Sequence, residues 1–249
     1  MMQTLPFELI PDIGSAATLG LVVLQSDETL EQDFRRIFTA RDVAIYVNRI
    51  PSGETLSEDS IAAMEAELSR GAGLLPRAAT FDAVAYGCTS GTTMIGADAV
   101  AAMLRLGVDT PVVTDPLSAA LAALKHLGAM EIGLVTPYIE SIAAPVRDAF
   151  ETAGHKVIHS VTFGEAEEAK VARIGPEAIR TAARAVAKGA DAIFLSCTNL
   201  RTMDVIDDLE AEIGIPVLSS NQVLAWHMAQ TTKASFDQAA PGRLFKSAL

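Results

Sequence analysis

Short apolar runs alternate along the chain with longer stretches in which apolar residues recur at helical spacing. The short runs predict strands at 18–24, 43–48, 83–87, 112–113, 131–136, 156–161, 192–196 and 217–218. The stretches between them predict helices at 28–38, 58–75, 92–106, 116–127, 139–153, 176–188, 202–213 and 221–228. Alternation of strands and helices is typical of an α/β protein built on parallel sheets.

The chain also repeats itself. Residues 82–94 align without a gap with residues 191–203, at an offset of 109, and six of the thirteen positions are identical. Two further pairs follow in the same order, residues 20–24 with 133–137 and residues 110–114 with 215–219. We therefore predict two pseudo-symmetric lobes, each a parallel four-stranded sheet flanked by helices.

The repeat sets the expected boundaries of the lobes. Residues 18–115 together with 221–230 form the first lobe, and residues 116–220 form the second. Residues 1–17 are an N-terminal extension. Residues 231–249 are polar and contain Gly and Pro, so we expect a loosely held C-terminal tail.

Composition narrows the classes of function. The chain has 249 residues, half of them apolar, and a formal net charge of -12 without any cluster of Lys and Arg, which disfavours a nucleic-acid partner. No apolar run approaches the roughly 18 residues that a membrane helix needs. The start lacks the features of a secretory signal, so we expect a cytoplasmic protein with reduced cysteines. A homo-oligomer is expected on general grounds only.

The candidate chemistry lies at the two cysteines, Cys88 and Cys197, which occupy matching positions in the repeat. Each stands at the end of a predicted strand, directly before a helix, where ligands bind in parallel sheets. Backbone amides at a helix start lower the pKa of a thiol and can hold a carboxylate. Hydroxyl and amide side chains follow both cysteines, at Thr89, Ser90, Thr198 and Asn199.

Several roles are open to such a pair of thiols. Two buried core cysteines are the alternative without chemistry. A metal site is disfavoured because no His or other Cys stands at ligand spacing, and a redox pair is disfavoured because CxxC is absent. Two thiols on opposite faces of one substrate fit proton exchange next to a carboxylate. No nucleotide-binding motif is present, and no cofactor is predicted.

At these residues the sequence resembles the aspartate/glutamate racemase superfamily, and within it the branch of maleate cis-trans isomerase and arylmalonate decarboxylase. The resemblance covers residues 18–230. The ectoine utilisation A subgroup is the most similar, through the opening at residues 10–14 and the segment 197–202. The motifs that carry the branch resemblance are Gly87-Cys88-Thr89-Ser90, Val135-Thr136-Pro137-Tyr138, Ala172-Arg173-Ile174, Ser196-Cys197-Thr198-Asn199 and Pro216-Val217-Leu218-Ser219-Ser220-Asn221.

The resemblance implies roles for individual residues. Cys88 and Cys197 match two catalytic cysteines, and the presence of both favours isomerisation over simple decarboxylation. Thr89, Ser90 and Tyr138 match groups that bind the substrate carboxylate. Thr198 matches the donor that follows the second cysteine, and Asn199 belongs to the same segment.

One departure from the branch concerns the exit of the first strand, where maleate isomerases carry an Asn that binds a carboxylate. This chain has Ser26 and Asp27 there, and an acid at Asp27 suits a substrate ammonium. The acidic segment 165–168 favours the same interpretation. Acids at a helix start are also common without any catalytic contact.

Three hypotheses follow. The first is a cofactor-independent two-cysteine racemase or epimerase acting next to the carboxylate of a small amino-bearing acid, with a role in ectoine breakdown. The second is a maleate-type cis-trans isomerase that works by thiolate addition. The third is a small-molecule binding protein that has lost the chemistry.

Overall fold

The computed structural model describes residues 2–247, and the three remaining residues lie outside the description. The strands are β1 (Ala17–Leu24), β2 (Val43–Ile50), β3 (Ala83–Gly87), β4 (Val112–Thr114), β5 (Glu131–Thr136), β6 (Lys156–Thr162), β7 (Ala192–Leu195) and β8 (Val217–Ser219). The helices are α1 (Leu30–Ile37), α2 (Glu58–Ala72), α3 (Thr89–Ile95), α4 (Ala97–Gly107), α5 (Pro116–Leu127), α6 (Glu140–Thr152), α7 (Glu168–Val171), α8 (Pro176–Val186), α9 (Ile206–Ile213), α10 (Ser220–Thr231) and α11 (Arg243–Lys246).

The strands form two four-stranded sheets with the same internal order, β2-β1-β3-β4 and β6-β5-β7-β8. Every strand pair in both sheets is parallel. Because all strands of a sheet run in the same direction, their carboxyl ends gather at one edge. The two-sheet α/β architecture predicted from the repeat is confirmed.

Local sequence signals start and stop the helices. Asp115 caps α5 through its side chain, with Pro116 in the first turn, and the helix ends at Gly128 in the left-handed conformation with a φ of 68°. Ser219 begins α10 through a capping box with Gln222. These signals bring α10 directly out of β8, at the edge of the sheet that carries the cysteines.

The repeated glycines, Gly20 and Gly133, lie at equivalent places in β1 and β5, where neighbouring side chains or backbone pack closely on the strand. A Cβ atom on Gly133 would lie 2.3 Å from the backbone oxygen of Val186 at the end of α8. A Cβ atom on Gly20 would lie 2.9 Å from the side chain of Val84. The space for a side chain is therefore occupied in both lobes, which explains why the repeat contains glycine at both positions.

We expect Gly133→Ala to lower the free energy of unfolding by about 1–3 kcal/mol, because the backbone of α8 must shift to admit the methyl group. Urea denaturation followed by circular dichroism measures the change. Gly175→Ala is the control, since a Cβ atom there meets nothing within 4 Å. Equal stabilities of the two variants would contradict the packing argument.

The predicted helix at 92–106 is wrong in one respect, because the structure divides this region between α3 and α4. Gly96 lies at the junction with a φ of 95°, which ends α3 and begins α4. The helix after Cys88 also begins earlier than predicted, at Thr89. Cys88 is consequently the N-cap residue of α3.

The expected loose tail also differs from the structure as far as residue 247. Leu244 and Phe245 of α11 are buried, and Phe245 packs against Phe236 with 4.7 Å between ring centroids. The backbone N–H of Arg243 donates to the Oε2 atom of Glu210 in α9. Apolar contacts thus fix a segment whose composition suggested a loop, and residues 248–249 lie outside the described part.

Residues 2–16 of the N-terminal extension form neither helix nor strand. Its large apolar side chains are mostly exposed, among them Phe7 at 82% and Leu9 at 89%. Within residues 2–247, no helix has the length and apolar composition needed to cross a membrane.

Candidate active site

Cys88 follows β3 and caps α3. Its Sγ atom accepts a hydrogen bond from the backbone N–H of Gly91 at 3.2 Å and lies 3.6 Å from the Oγ atom of Ser90. These two groups lower the pKa of the thiol, but burial outweighs them and raises the pKa of Cys88 to about 11. The expectation of a lowered thiol pKa is therefore wrong for the closed, ligand-free site.

Cys197 follows β7 after Ser196, in an unusual backbone conformation. Its φ is 106°, the only positive φ of a non-glycine residue between residues 2 and 247. Such a conformation costs free energy and requires support from its surroundings. Burial raises the pKa of the Cys197 thiol well above its usual value, and the charge of Glu168 raises it further.

Two hydrogen-bonded links join the cysteine loops of the two lobes. The hydroxyl of Thr198 donates to the carbonyl oxygen of Gly87, next to Cys88, at 3.2 Å. The Oγ atom of Ser220 accepts the backbone N–H of Cys197 at 3.0 Å and lies 2.8 Å from the Oγ1 atom of Thr89. The structure therefore brings the two halves of the sequence repeat together at one place.

Ser220 was missed by the sequence analysis as a site residue. It comes directly after β8 and is fully buried at the edge of the sheet that carries Cys197. The rule that selected the cysteines, a polar residue at a strand end before a helix, also applies to Ser220. The aligned repeat segment 215–219 ends immediately before Ser220, so the sequence contained the information needed to select this residue.

Buried hydroxyl groups without partners lie beside Cys197. The Oγ1 atom of Thr136 and the Oγ atom of Ser196 have no hydrogen-bond partner. Tyr138 is buried next to Ser196, and burial raises the pKa of its phenol well above its usual value, as do the charges of the Cys197 and Cys88 thiolates. Neutral hydroxyls in this position are free to donate hydrogen bonds to a small anion.

Asp27 has one bonded and one free carboxylate oxygen. Its Oδ1 atom accepts the backbone N–H groups of Thr29 and Leu30, both at 2.8 Å, so Asp27 does act at the start of α1. Its Oδ2 atom is buried without a partner. Burial raises the pKa of Asp27, whereas the Thr29 and Leu30 amides and Arg49 lower it. Ser26 is half-buried, and its hydroxyl lies 2.9 Å from the Oγ atom of Ser52.

Asn199 connects the first lobe to a buried acid of the second. Its Oδ1 atom accepts the backbone N–H of Glu28 at 2.8 Å, and its Nδ2 atom donates to Oε2 of Glu168 at 3.2 Å. Burial raises the pKa of Glu168, and the nearby charge of Asp27 raises it further. Burial raises the pKa of both thiols, and the charge of Glu168 raises both further.

The acidic segment 165–168 thus contains two kinds of acid. Glu168 is buried, whereas Glu165 is partly exposed and accepts the backbone N–H groups of Ala166 and Glu167. Arg173 forms an ion pair with Glu28 at 2.7 Å rather than reaching the thiols. Only one acid of the segment therefore belongs to the candidate site.

The mouth of the site is closed by backbone contacts between the segments that follow β2 and β6. The N–H of Leu56 donates to the carbonyl of Ala166 at 2.9 Å, and the N–H of Glu168 donates to the carbonyl of Glu54 at 3.1 Å. Cys88 is 3% and Cys197 is 6% exposed. Both thiols are therefore almost inaccessible to solvent.

The site has no described metal-binding cluster. From Met2 to residue 247, no group of three or more His, Cys, Asp or Glu side chains could hold a metal ion, and both cysteines are free thiols. The Nδ1 atom of His227 lies 2.7 Å from the Oγ1 atom of Thr114.

Two pseudo-symmetric parallel sheets with a cysteine loop from each define the racemase-like class of α/β proteins. The arylmalonate decarboxylase family model matches residues 55–245, and the chain belongs to this family. Maleate isomerase of Nocardia farcinica is 26% identical over 241 residues, which cover 92% of this chain and 95% of the relative.

Two solved structures share the fold. The maleate isomerase of Pseudomonas putida S16 with maleate has a TM-score of 0.84 and 21% identity, over 93% of this chain and 98% of the other. A cysteine variant of the Nocardia farcinica maleate cis-trans isomerase with a covalent succinylcysteine intermediate has a TM-score of 0.83 and 24% identity, over 92% and 98%. Family membership and the matched relatives identify the chain as an isomerase, while the catalytic use of its cysteines and the roles of its other site residues stay predictions.

We expect the rate of Cys88 alkylation by iodoacetamide to rise about tenfold per pH unit from pH 7 to pH 10, because only the thiolate reacts and its fraction stays small below a pKa of about 11. Peptide mass spectrometry of the ligand-free protein measures the rate. Glutathione under the same conditions is the control, and its alkylation rate levels off at a lower pH. A plateau for Cys88 below pH 8 would show that burial does not dominate.

Proposed function

We propose that the protein is a maleate-type cis-trans isomerase that uses Cys88 and Cys197 and needs no cofactor. The observation that carries the proposal is the meeting of both cysteine loops at one buried site, tied through Ser220 and Thr198. Matched relatives are maleate isomerases, and one of their structures contains a covalent succinylcysteine. The hydroxyl of Ser196, which directly precedes Cys197 and has no hydrogen-bond partner, is a donor for a substrate carboxylate.

The reaction begins with addition of a thiol across the double bond. One cysteine first gives its proton to a carboxylate of the substrate or of the site, and its sulfur then forms a bond to one alkene carbon while the other thiol transfers its proton to the neighbouring carbon and becomes a thiolate. The former double bond is now a single bond and rotates. Removal of a proton from the same neighbouring carbon then expels the cysteine sulfur and restores the double bond in the trans geometry.

Burial explains why both thiols rest in the neutral form between turnovers. Because burial raises both thiol pKa values, a thiolate is disfavoured in the closed site. A bound substrate changes this balance only if its own acceptor or a site carboxylate takes the thiol proton. Glu168, whose charge acts on both thiols, is the described acid placed to influence that step.

We expect purified protein to convert maleate to fumarate, and Cys88→Ser and Cys197→Ser each to reduce the rate by about 100- to 10,000-fold. Proton NMR distinguishes the two vinyl signals. Mass spectrometry of each variant mixed with maleate tests for a protein adduct with the mass of one maleate. Circular dichroism verifies that both variants fold. Undiminished turnover by either variant, or none by the wild type on maleate, contradicts the proposal.

A second candidate, racemisation or epimerisation of a small amino-bearing acid, rests on the buried acids Asp27 and Glu168. Both are at most 6% exposed, and the charge of one raises the pKa of the other. In their ionised forms they would repel a dicarboxylate and bind an ammonium group. In that reaction one thiolate removes the α-proton and the opposite thiol returns a proton from the other face.

The Asp27→Asn variant separates the two reactions. For a dicarboxylate, replacing a carboxyl by an amide donor removes repulsion, so we expect KM for maleate to fall about tenfold at pH 8, which corresponds to about 1.4 kcal/mol. For an amino acid, loss of the ammonium partner would instead abolish deuterium exchange at the α-carbon, measured by NMR with aspartate and glutamate. Asp115→Asn is the control, since Asp115 caps α5 in the same way outside the site.

An increase in KM for maleate in the Asp27→Asn variant would argue against the dicarboxylate. Similarity to the ectoine utilisation A subgroup, a role in ectoine breakdown, a cytoplasmic location and a homo-oligomer stay predictions of the sequence.

A further inference from the structure

We propose that Asp33 is a positioning residue for Cys197, acting through the side chain of Asn221. The inference rests on the proposed use of Cys197 in the reaction. Asp33 lies in α1 of the first lobe, whereas Cys197 follows β7 of the second, and Asn221 lies between them at the start of α10. Neither Asp33 nor Asn221 bonds to a cysteine directly.

The first step of the argument is the backbone at Cys197. Its positive φ must be held by neighbouring groups, because a non-glycine residue does not adopt it freely. On one side, the N–H of Cys197 donates to Ser220. On the other, the carbonyl oxygen of Thr198 accepts from the Nδ2 atom of Asn221 at 2.8 Å. Asn221 therefore holds the peptide between Thr198 and Asn199, one residue beyond the strained Cys197.

The second step is the orientation of the Asn221 amide. Its Nδ2 atom also donates to Oδ2 of Asp33 at 2.7 Å, so both neighbours of this nitrogen are oxygen acceptors. The Oδ1 atom is buried without a partner. A rotated amide would set its oxygen against two other oxygens, and the ionised Asp33 thereby selects the orientation that binds Thr198.

The third step is the cost of keeping an acid at this place. Asp33 is 5% exposed, and the nearby guanidinium of Arg36 is engaged by Asp204 at 2.6 Å. A buried carboxylate without a direct cationic partner lowers the stability of the folded protein. An acid kept under such conditions is a candidate for a functional role.

The surroundings of Asp33 determine its titration. Burial raises the pKa of Asp33 to about 7, while the Asn221 amide and Arg36 lower it and the charges of Asp27 and Asp204 raise it. The other charged groups in the small cavity beside Asp33 are Glu28 and Arg201.

Protonation of Asp33 removes the negative charge that favours the observed orientation of the Asn221 amide. Below pH 7 the protonated acid can itself donate to the Asn221 oxygen, so one of the two repulsive contacts of the rotated amide is removed and only the Thr198 carbonyl still opposes it. Positioning of Cys197 should therefore be complete above pH 7 and weaken as the pH falls.

The test combines Asp33→Asn, Asn221→Ala and the double variant. We expect each single variant to lower kcat for maleate about tenfold, with KM within about twofold of the wild type, because neither side chain reaches the substrate. The double variant should be no slower than Asn221→Ala, since Asp33 acts only through Asn221. Multiplied losses in the double variant would overturn the proposal.

A second readout needs no substrate and is independent of the proposed reaction. The alkylation rate of Cys197 in the wild type should show an inflection near pH 7 that is absent in Asp33→Asn, while Cys88 in the same sample shows none. Asp115→Asn serves as the control and keeps the inflection. An inflection retained in Asp33→Asn would overturn the positioning role, whereas absent maleate turnover with a lost inflection would refute only the proposed function.

Stability separates positioning from a merely structural role. Because folding raises the pKa of Asp33 from its ordinary 3.8 to about 7, its contribution to folding stability falls as the pH rises from about 4 to 7. Asp33→Asn should therefore melt at a higher temperature than the wild type at pH 8, although it is the slower enzyme. A lower melting temperature together with unchanged kcat would assign Asp33 to structure alone.

Discussion

The hydroxyl of Ser220 is the contact on which the site depends. It accepts the backbone N–H of Cys197 and lies within hydrogen-bond distance of Thr89, the residue after the other cysteine. Without it, a buried N–H in a strained turn would lack its partner, at a cost of about 1–3 kcal/mol. The same group therefore supports the unusual backbone of one lobe and fixes the distance to the loop of the other.

Burial dominates the chemistry of the thiols. A helix start and two donors act on Cys88 in the direction that favours a thiolate, yet the thiol pKa rises to about 11 because the closed site removes water. The sequence pattern identifies the helix start but not the closure. Closure comes from backbone contacts of residues 54–56 with 166–168, between segments 110 residues apart and without a distinctive motif.

Strand ends explain most of what the sequence predicts correctly. The repeat was sufficient to predict the two parallel sheets, and the structure has each cysteine at the strand end where the sequence analysis expected it. Glu168 and Asn221 were not assigned roles, because their importance arises from neighbours far away in sequence, Asn199 and Asp33. Helical periodicity alone did not locate the break between α3 and α4. The apolar pattern continues through Gly96, whose positive φ divides the helix.

The duplication supplied two similar loops, and the structure shows that they are no longer equivalent. Cys88 has an extended backbone with a φ of -152° and caps a helix, whereas Cys197 has a φ of 106° and depends on contacts from α10. A thioether-forming reaction needs one sulfur that bonds to carbon and another that handles a proton, so unequal cysteines suit it better than identical ones. The proposed role of Asp33 extends this asymmetry, because Asp33 is linked through Asn221 to the Cys197 loop and has no described hydrogen bond to the Cys88 loop.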